Sequence, residues 1–214
     1  MGQEISRSTF TRQDFRRFRA RLRQETARLA DWFREERFAP SGDIGGFEIE
    51  AWLVDRRGQP APLNQAFLKR MADPLAVPEL SVFNIELNTP PLPLRGDALR
   101  RMHANLQELW QRCQQVAAEL DTAVVLIGIL PTLRVGDLTL DHMSSQQRYR
   151  AINDQILRRR RGRPMELAIH GTETLRLTHP DVMLEAATTS FQTHLQVVAH
   201  EAVAFFNAAS HLRQ

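Results

Sequence analysis

The 214-residue sequence has a single cysteine, Cys113, and a single lysine, Lys69. One cysteine excludes an internal disulfide and a Cys-rich zinc site, and with them the secreted disulfide scaffolds. No apolar run approaches the ~20 residues that span a bilayer. The N-terminal residues lack the apolar core of a secretory signal. These absences predict a cytoplasmic protein with no membrane span.

The charge balance is arginine-dominated. The chain carries 28 basic and 25 acidic residues, yet its pI is 9.9, because arginine does not titrate near neutral pH. The run from Arg158 to Arg161, with Arg163, could attract phosphates or nucleic acid. It has no interleaved aromatic residues, and it lies at a predicted helix C-terminus, where cations are favourable. A nucleic-acid partner is therefore the weakest of the functional hypotheses.

Hydrophobic periodicity predicts a mixed order of helices and strands. The predicted helices span residues 11–38, 64–71, 99–120, 144–161 and 199–210. The predicted extended segments span residues 46–54, 79–88, 123–130, 167–171, 174–177 and 188–198. Regular βαβ alternation and a Gly-rich phosphate loop are both missing, so the prediction is an α+β fold with an antiparallel or mixed sheet flanked by helices. We expect an N-terminal helical segment at residues 1–42 and a second domain at residues 43–214.

The first candidate site is the strand around Glu48 and Glu50. Residues two apart in a strand project from the same face. Two adjacent carboxylates repel each other unless a cation lies between them or water solvates them. Carboxylates that converge on a hard cation are typical of Mg²⁺ sites, whereas a solvated outer face of the strand is the alternative explanation.

The second candidate combines Glu79, Glu86 and Asn88. Glu86 and Asn88 share a face if residues 84–88 form a straight strand. The seven-residue gap between Glu79 and Glu86 has the wrong parity for one flat strand. Both carboxylates can therefore reach one cation only if the chain bends near residues 81–83. The alternative is that Glu79 simply caps the segment.

The third candidate is the later strand with Gln192, His194 and Gln196 on one face. A neutral imidazole can bind a divalent cation, and amides can position substrate oxygens. An ordinary solvated face is the alternative. Together the three candidates supply four carboxylates and one histidine without cysteine, which suits hard cations such as two Mg²⁺ ions that bridge nucleotide phosphates.

These motifs resemble those of the glutamate–cysteine ligases and related carboxylate–amine ligases. The stretch GFEIEAWLVD resembles the family's opening active-site strand, and the segment from Glu79 through ELNTPP resembles its acidic segment. The stretch SFQTHLQV resembles the later strand that carries the ligating histidine. The three occur in the family's order, and the resemblance spans about residues 46–209.

The resemblance implies a glutamine-synthetase-like catalytic fold that uses ATP and Mg²⁺ or Mn²⁺. It implies that Glu48, Glu79 and Glu86 hold one cation, and that Glu50 and His194 help to hold another. Asn88, Gln192 and Gln196 would then lie near substrate or nucleotide. The implied reaction joins an amino-acid carboxylate, that of the glutamate side chain, to an amine such as that of cysteine, as in glutathione biosynthesis.

The family also uses a further carboxylate and basic residues downstream of the last motif. We therefore expect this chain to be the N-terminal portion of a catalytic domain, with little ligase activity by itself. Strand edges left unpaired in such a portion would favour self-association. The rival hypothesis is a non-catalytic binding or regulatory module that retains the fold.

Overall fold

The structure, a computed structural model, describes residues 3–211 and has an α+β fold. The helices are α1 (Arg12–Arg34), α2 (Asn64–Met71), α3 (Ala98–Glu119), α4 (Gln147–Arg159) and α5 (Ala202–His211). The strands are β1 (Ile44–Val54), β2 (Ala76–Pro78), β3 (Asn84–Asn88), β4 (Leu92–Pro93), β5 (Ala123–Val125), β6 (Met165–His170), β7 (Thr174–His179) and β8 (Phe191–Gln196). The predicted fold class, with an antiparallel sheet and flanking helices, is confirmed.

The chain divides into two compact units, and β1 contributes residues to both. The first unit comprises Met1–Thr9, Glu48–Thr89 and His103–Gln192, and the second comprises Phe10–Phe47, Pro90–Met102 and Thr193–Gln214. This division does not test the predicted boundary at residue 42, which stays a prediction.

Antiparallel pairing builds the main sheet, and the long strand β1 pairs with most of its members. In the first unit β1 pairs with β3 and β5, and β2 pairs with β3. In the second unit β1 pairs with the short strand β4. Strand β8 also pairs with β1, while β6 and β7 form a separate hairpin.

The core of the first unit lies between one face of the sheet and helices α2 and α3. Alternate residues of β1 and β3 point into it, as the period of two requires, and Phe67 and Cys113 from the two helices are fully buried there. A second cluster forms around Trp52 and Phe83, whose rings stack with centroids 5.6 Å apart. Trp52 is therefore a buried residue on the strand face that carries Glu48 and Glu50.

Helix α1 begins as predicted but ends early. Thr11 caps it, and the reciprocal bonds between Thr11 and Asp14 form a capping box. The helix ends at Arg34 rather than Phe38 because Glu36 adopts a left-handed conformation (φ 51°) and the Arg37 N–H bonds back to the Trp32 carbonyl. This pattern is that of a Schellman ending. None of the residues of α1 is buried, although apolar residues recur along it at helical spacing.

Two predicted strands are shorter than expected. In the apolar run at residues 123–130, only Ala123–Val125 pairs with β1. Its later carbonyls, those of Ile127 and Gly128, accept instead from the Trp52 indole (2.9 Å) and the Thr189 amide (2.8 Å). Likewise, residues 79–88 do not form one strand: β2 and β3 are two strands of a hairpin that reverses between them. The predicted break between Glu79 and Glu86 is thus confirmed.

The arginine run lies at the C-terminus of α4, as predicted. The side chain of Arg160 donates to the carbonyl oxygens of Arg163 and Pro164, at 3.2 and 2.6 Å. Cations at this position compensate the helix dipole and satisfy carbonyls that the helix leaves free. Within residues 3–211, none of the helices combines the length and the apolarity needed to span a bilayer.

Candidate active-site cleft

One face of the β1–β3 pair is polar and carries three of the predicted carboxylates. Glu48 lies opposite Asn88, and Glu50 lies opposite Glu86. Directly opposed residues in an antiparallel pair project to the same side, so all four side chains share this face. Glu86 is buried at 5% exposure, and Glu48 and Glu50 are half-buried. The predicted common face of Glu48 and Glu50, and that of Glu86 and Asn88, is therefore present.

The hairpin brings Glu79 to the same cluster. Val77 lies opposite Glu86, so the strand places Glu79 just beyond that pair. The Glu79 carboxyl accepts from the Leu80 amide (2.9 Å) and shares a hydrogen bond with the Glu86 carboxyl. Burial, followed by the hydrogen bond with Glu86, raises the pKa of Glu79 to about 7, and the charge of Glu50 adds to the rise. The hydrogen bond from the Leu80 amide acts in the opposite direction and lowers the pKa of Glu79. The Glu79 carboxyl, next to that of Glu86, therefore keeps its proton to higher pH than an ordinary glutamate.

Tyr149 from α4 fixes the end of β2 next to Glu79. Its hydroxyl donates to the carbonyl of Pro78 (3.0 Å) and accepts from the Arg148 guanidinium (2.8 Å). Burial and the charge of Glu79 raise the pKa of Tyr149 to about 12, so the hydroxyl keeps its proton and remains a donor. Tyr149 thereby holds the backbone that carries Glu79.

A cleft of about 300 Å³ opens beside these carboxylates. Three carboxylates line it, those of Glu50, Glu79 and Glu185, together with Asn84 and Gln192. The remaining polar lining consists of the hydroxyls of Thr188, Thr189 and Ser190. The cleft is thus acidic and rich in hydrogen-bonding groups, which suits a cation together with a polar ligand rather than an apolar one.

The segment before β8 is tied to β1 through Glu50. The Glu50 amide donates to the Ser190 carbonyl and the Ser190 amide donates to the Glu50 carboxylate, both at 2.9 Å. The Gln192 amide approaches the other carboxylate oxygen at 3.4 Å and donates to the Ser190 hydroxyl at 3.0 Å. Gln192, predicted to lie near substrate, therefore lines the cleft and contacts Glu50.

His194 and Gln196 belong to the second unit. The alternation of β8 places them on the same strand face as Gln192. Gln196 donates from its side chain to the Ser41 carbonyl (3.1 Å), and its carbonyl accepts from the Asp43 amide (3.0 Å). Joint cation binding by Glu50 and His194 stays a prediction.

The donor chemistry fits a hard cation. Burial and the neighbouring Glu86 and Glu50 carboxylates raise the pKa of Glu79, and a divalent cation bound among them would replace the Glu79 proton. Among residues 3–211, however, no group of three or more His, Cys, Asp or Glu side chains is already arranged as a metal site. The predicted set of cation ligands is therefore still a prediction.

Five polar residues of the cleft were absent from the sequence prediction: Asn84, Glu185, Thr188, Thr189 and Ser190. Asn84 lies on the same face of β3 as Glu86 and Asn88, so the spacing of two could have revealed it. Glu185 lies on a short 3₁₀ segment, Val182–Ala187, which has no periodic pattern in the sequence. Only the tertiary structure brings Glu185 to the cleft.

Comparison with protein families supports the resemblance that the motifs carry. The model of glutamate-cysteine ligase family 2 (GCS2) matches residues 44–213, a range that includes every predicted site residue from Glu48 to Gln196. Comparisons with curated proteins and with solved structures found no match. Because the family model matches most of the chain, this chain belongs to glutamate-cysteine ligase family 2 (GCS2).

Proposed function

We propose that this protein is an ATP-dependent ligase that joins the side-chain carboxylate of glutamate to an amine such as that of cysteine. Family membership over residues 44–213 carries the proposal. The acidic cleft beside β1 and β3 supports it, because carboxylates and amides surround a space suited to polar ligands. The proposal includes a glutamine-synthetase-like arrangement of the sheet and a cytoplasmic role in glutathione biosynthesis.

The reaction has two steps. A carboxylate oxygen of glutamate attacks the γ-phosphorus of ATP, and the bond to the bridging oxygen breaks with ADP as leaving group. The amine nitrogen then attacks the acyl carbon, the carbon–oxygen bond to phosphate breaks, and the amine loses a proton. Phosphorylation is needed because an unmodified carboxylate would have to expel oxide. Catalysis of such transfers depends mainly on positioning and charge neutralisation.

The cluster on β1, β3 and the hairpin would hold the cations of this reaction. When bound, Mg²⁺ or Mn²⁺ supplies neutralisation of the phosphate charge. We assign Glu48, Glu79 and Glu86 to one cation, and Glu50 and His194 to another. Asn88, Gln192 and Gln196 are assigned to the vicinity of substrate and nucleotide. The hydrogen bonds from Ser190 and Gln192 to Glu50 would keep that carboxylate in a fixed orientation.

The test is release of ADP by the natural gene product with Mg-ATP, glutamate and cysteine. We expect continuous ADP release only when both glutamate and the amine are present, because without the amine the acyl phosphate is not consumed and turnover stops after the first step. Glu50→Gln should lower this rate by roughly 100-fold or more, since a cation that neutralises the phosphate charge loses a charged ligand. Glu166→Gln, on the exposed strand β6, is the matched control and should leave the rate unchanged.

The rival hypothesis, a non-catalytic module, predicts a different result from the same preparation. Such a module would bind Mn²⁺ and ATP in calorimetry but release no ADP with any pairing of carboxylate and amine. That outcome would contradict the ligase proposal while leaving the fold and the cation site intact.

A further inference from the structure

The side chain of Asn84 is buried in the cleft wall with one end of its amide unused. Asn84 is 3% exposed and is the first residue of β3. Its Oδ1 accepts a hydrogen bond from the Ser81 hydroxyl, whereas its Nδ2 has no hydrogen-bond partner among residues 3–211. A buried donor without an acceptor is costly, so native structures seldom keep one without a function.

Asn64 shows what a purely structural asparagine does at the same depth. It is also 3% exposed, but its Nδ2 donates to the Ser81 carbonyl (3.0 Å), the Ser144 hydroxyl (2.9 Å) and the Asn84 carbonyl (3.3 Å). Asn64 therefore links the hairpin to its surroundings, and it does not line the cleft. Asn84 lines the cleft together with Glu50, Glu79 and Ser190.

The chemistry of the free amide end defines the atom that it can bind. An amide NH₂ group is a donor, so its ligand must present an acceptor oxygen. The neighbouring carboxylates repel an anionic oxygen unless a cation or a donor compensates. A neutral donor buried in the wall of an acidic cleft can thus hold an oxygen of a polar substrate without adding charge.

We propose that the side-chain amide of Asn84 binds a carboxylate oxygen of the acid substrate and thereby contributes to recognition of that substrate. This inference rests on the proposed ligase function, which supplies a carboxylate as the group to be activated. The motif comparison assigned no role to Asn84. The role follows from its burial, its unused donor and its place in the cleft.

The test compares two variants of Asn84 in the natural gene product. Asn84→Leu removes the donor and keeps a similar volume, and Asn84→Asp keeps the acceptor for Ser81 but replaces the donor by an oxygen. L-glutamate is the probe, titrated by calorimetry in the presence of Mg²⁺ and a non-hydrolysable ATP analogue. We expect both variants to weaken glutamate binding by about 10- to 100-fold, the range for a hydrogen bond to a charged acceptor. The KM for ATP should change less than about twofold.

Thermal stability separates binding from structure. Asn84→Leu removes the unsatisfied donor but also the acceptor of the buried Ser81 hydroxyl, so it should lower the melting temperature by less than Asn64→Leu, which removes several hydrogen bonds. The matched control, Asn64→Leu, should lower the melting temperature and leave the glutamate Kd of the folded protein within about twofold. If Asn84→Leu fails to fold, Asn84→Asp decides the question through its Kd.

Three results would overturn the inference. The first is an unchanged glutamate Kd in both variants, the second is an equal loss of ATP and glutamate affinity, and the third is a wild-type protein that does not bind glutamate. Failure of the ligase proposal gives a different result. A wild-type protein that binds glutamate but releases no ADP contradicts the ligase function, while the Kd of the variants still tests Asn84.

Discussion

At the scale of single residues, the distinctive feature is the raised pKa of Glu79, whose carboxyl is hydrogen-bonded to that of Glu86. Burial and the hydrogen bond with Glu86 raise the pKa of Glu79 to about 7, against an ordinary value of 4.5. Between these two values the folded chain binds more protons than the unfolded chain, so raising the pH removes stability in this window. In most proteins buried carboxylates act in the opposite direction, because they are paired with cations.

We expect the metal-free protein to lose stability as the pH rises from about 4.5 to 7. The contribution of Glu79 should be fully present below pH 4.5 and should fall by on the order of 1–3 kcal/mol by pH 7. Urea unfolding in EDTA across this range measures the loss. Glu79→Gln, which stays neutral, should remove that part of the pH dependence. Parallel curves for the wild type and Glu79→Gln would contradict this prediction.

Cation binding belongs to the same scale because the cation replaces the proton of Glu79. Mn²⁺ binding in the presence of ATP should release protons and strengthen as the pH rises from below 7 through 7, where Glu79 loses its proton. The double variant Glu48→Gln with Glu50→Gln should abolish the binding heat in calorimetry, whereas the exposed control Glu166→Gln should retain it. Binding that is unchanged in the double variant would show that the cation lies elsewhere.

At the scale of elements, one face of strand β1 is polar in its first part and apolar towards its end. Glu48 and Glu50 face the polar cluster, whereas Trp52 on the same side is fully buried and stacks on Phe83. The Trp52 indole donates to the Ile127 carbonyl, so its polar atom is satisfied. Strand β1 thus connects the cleft to the core. The Ile127 carbonyl bonds to the Trp52 indole instead of to a strand backbone, so residues 126–130 do not extend β5.

Helix α1 is held mainly by local interactions, because none of its residues is buried. Thr11→Ala removes the hydroxyl that caps the helix and should destabilise its first turn by about 1 kcal/mol. Hydrogen exchange should show first-turn amides exchanging about 5-fold faster, with amides of α3 unaffected. Thr26→Ala is the control, since the Thr26 hydroxyl bonds only to the Leu22 carbonyl within the helix. Equal effects of both substitutions would argue against a capping role.

At the scale of the whole molecule, apolar exposure is concentrated on helices of the second unit. Phe18 on α1 is 63% exposed, and Val203 and Phe206 on α5 are 72% and 71% exposed. Apolar side chains at this density favour association. Self-association, predicted from the sequence for a different reason, therefore stays a prediction with a second physical basis.

Sedimentation velocity between about 5 and 100 µM tests this association. We expect the wild type to form larger species as its concentration rises, because association buries the exposed apolar area. Phe206→Ser should shift the onset to higher concentration. Ile169→Ser, at an exposed position of β6 in the first unit, is the control and should not. A single species at all concentrations would refute the prediction.

Local patterns in the sequence are sufficient to predict the helices with strong periodicity, the capping box of α1 and the polar face shared by Glu48 and Glu50. These features depend on local rules: the period of a helix or strand and the hydrogen bonds of neighbouring residues. The odd separation of seven residues between Glu79 and Glu86 also predicted that the strand breaks between them if both carboxyls reach one cation. The order of the motifs indicated the family that the comparison then showed.

The tertiary structure decided what depends on contacts distant in sequence. The hairpin that joins the Glu79 and Glu86 carboxyls raises the pKa of Glu79, and Glu185 reaches the cleft from a segment without periodicity. The sequence predicted neither the exposure of the apolar residues of α1 nor the end of β5 at Val125. An apolar pattern does not indicate which element packs against it or which donors bond to the carbonyls of that segment. Burial and the hydrogen-bond partners of Asn84 likewise exist only in the folded chain, since both are properties of its surroundings.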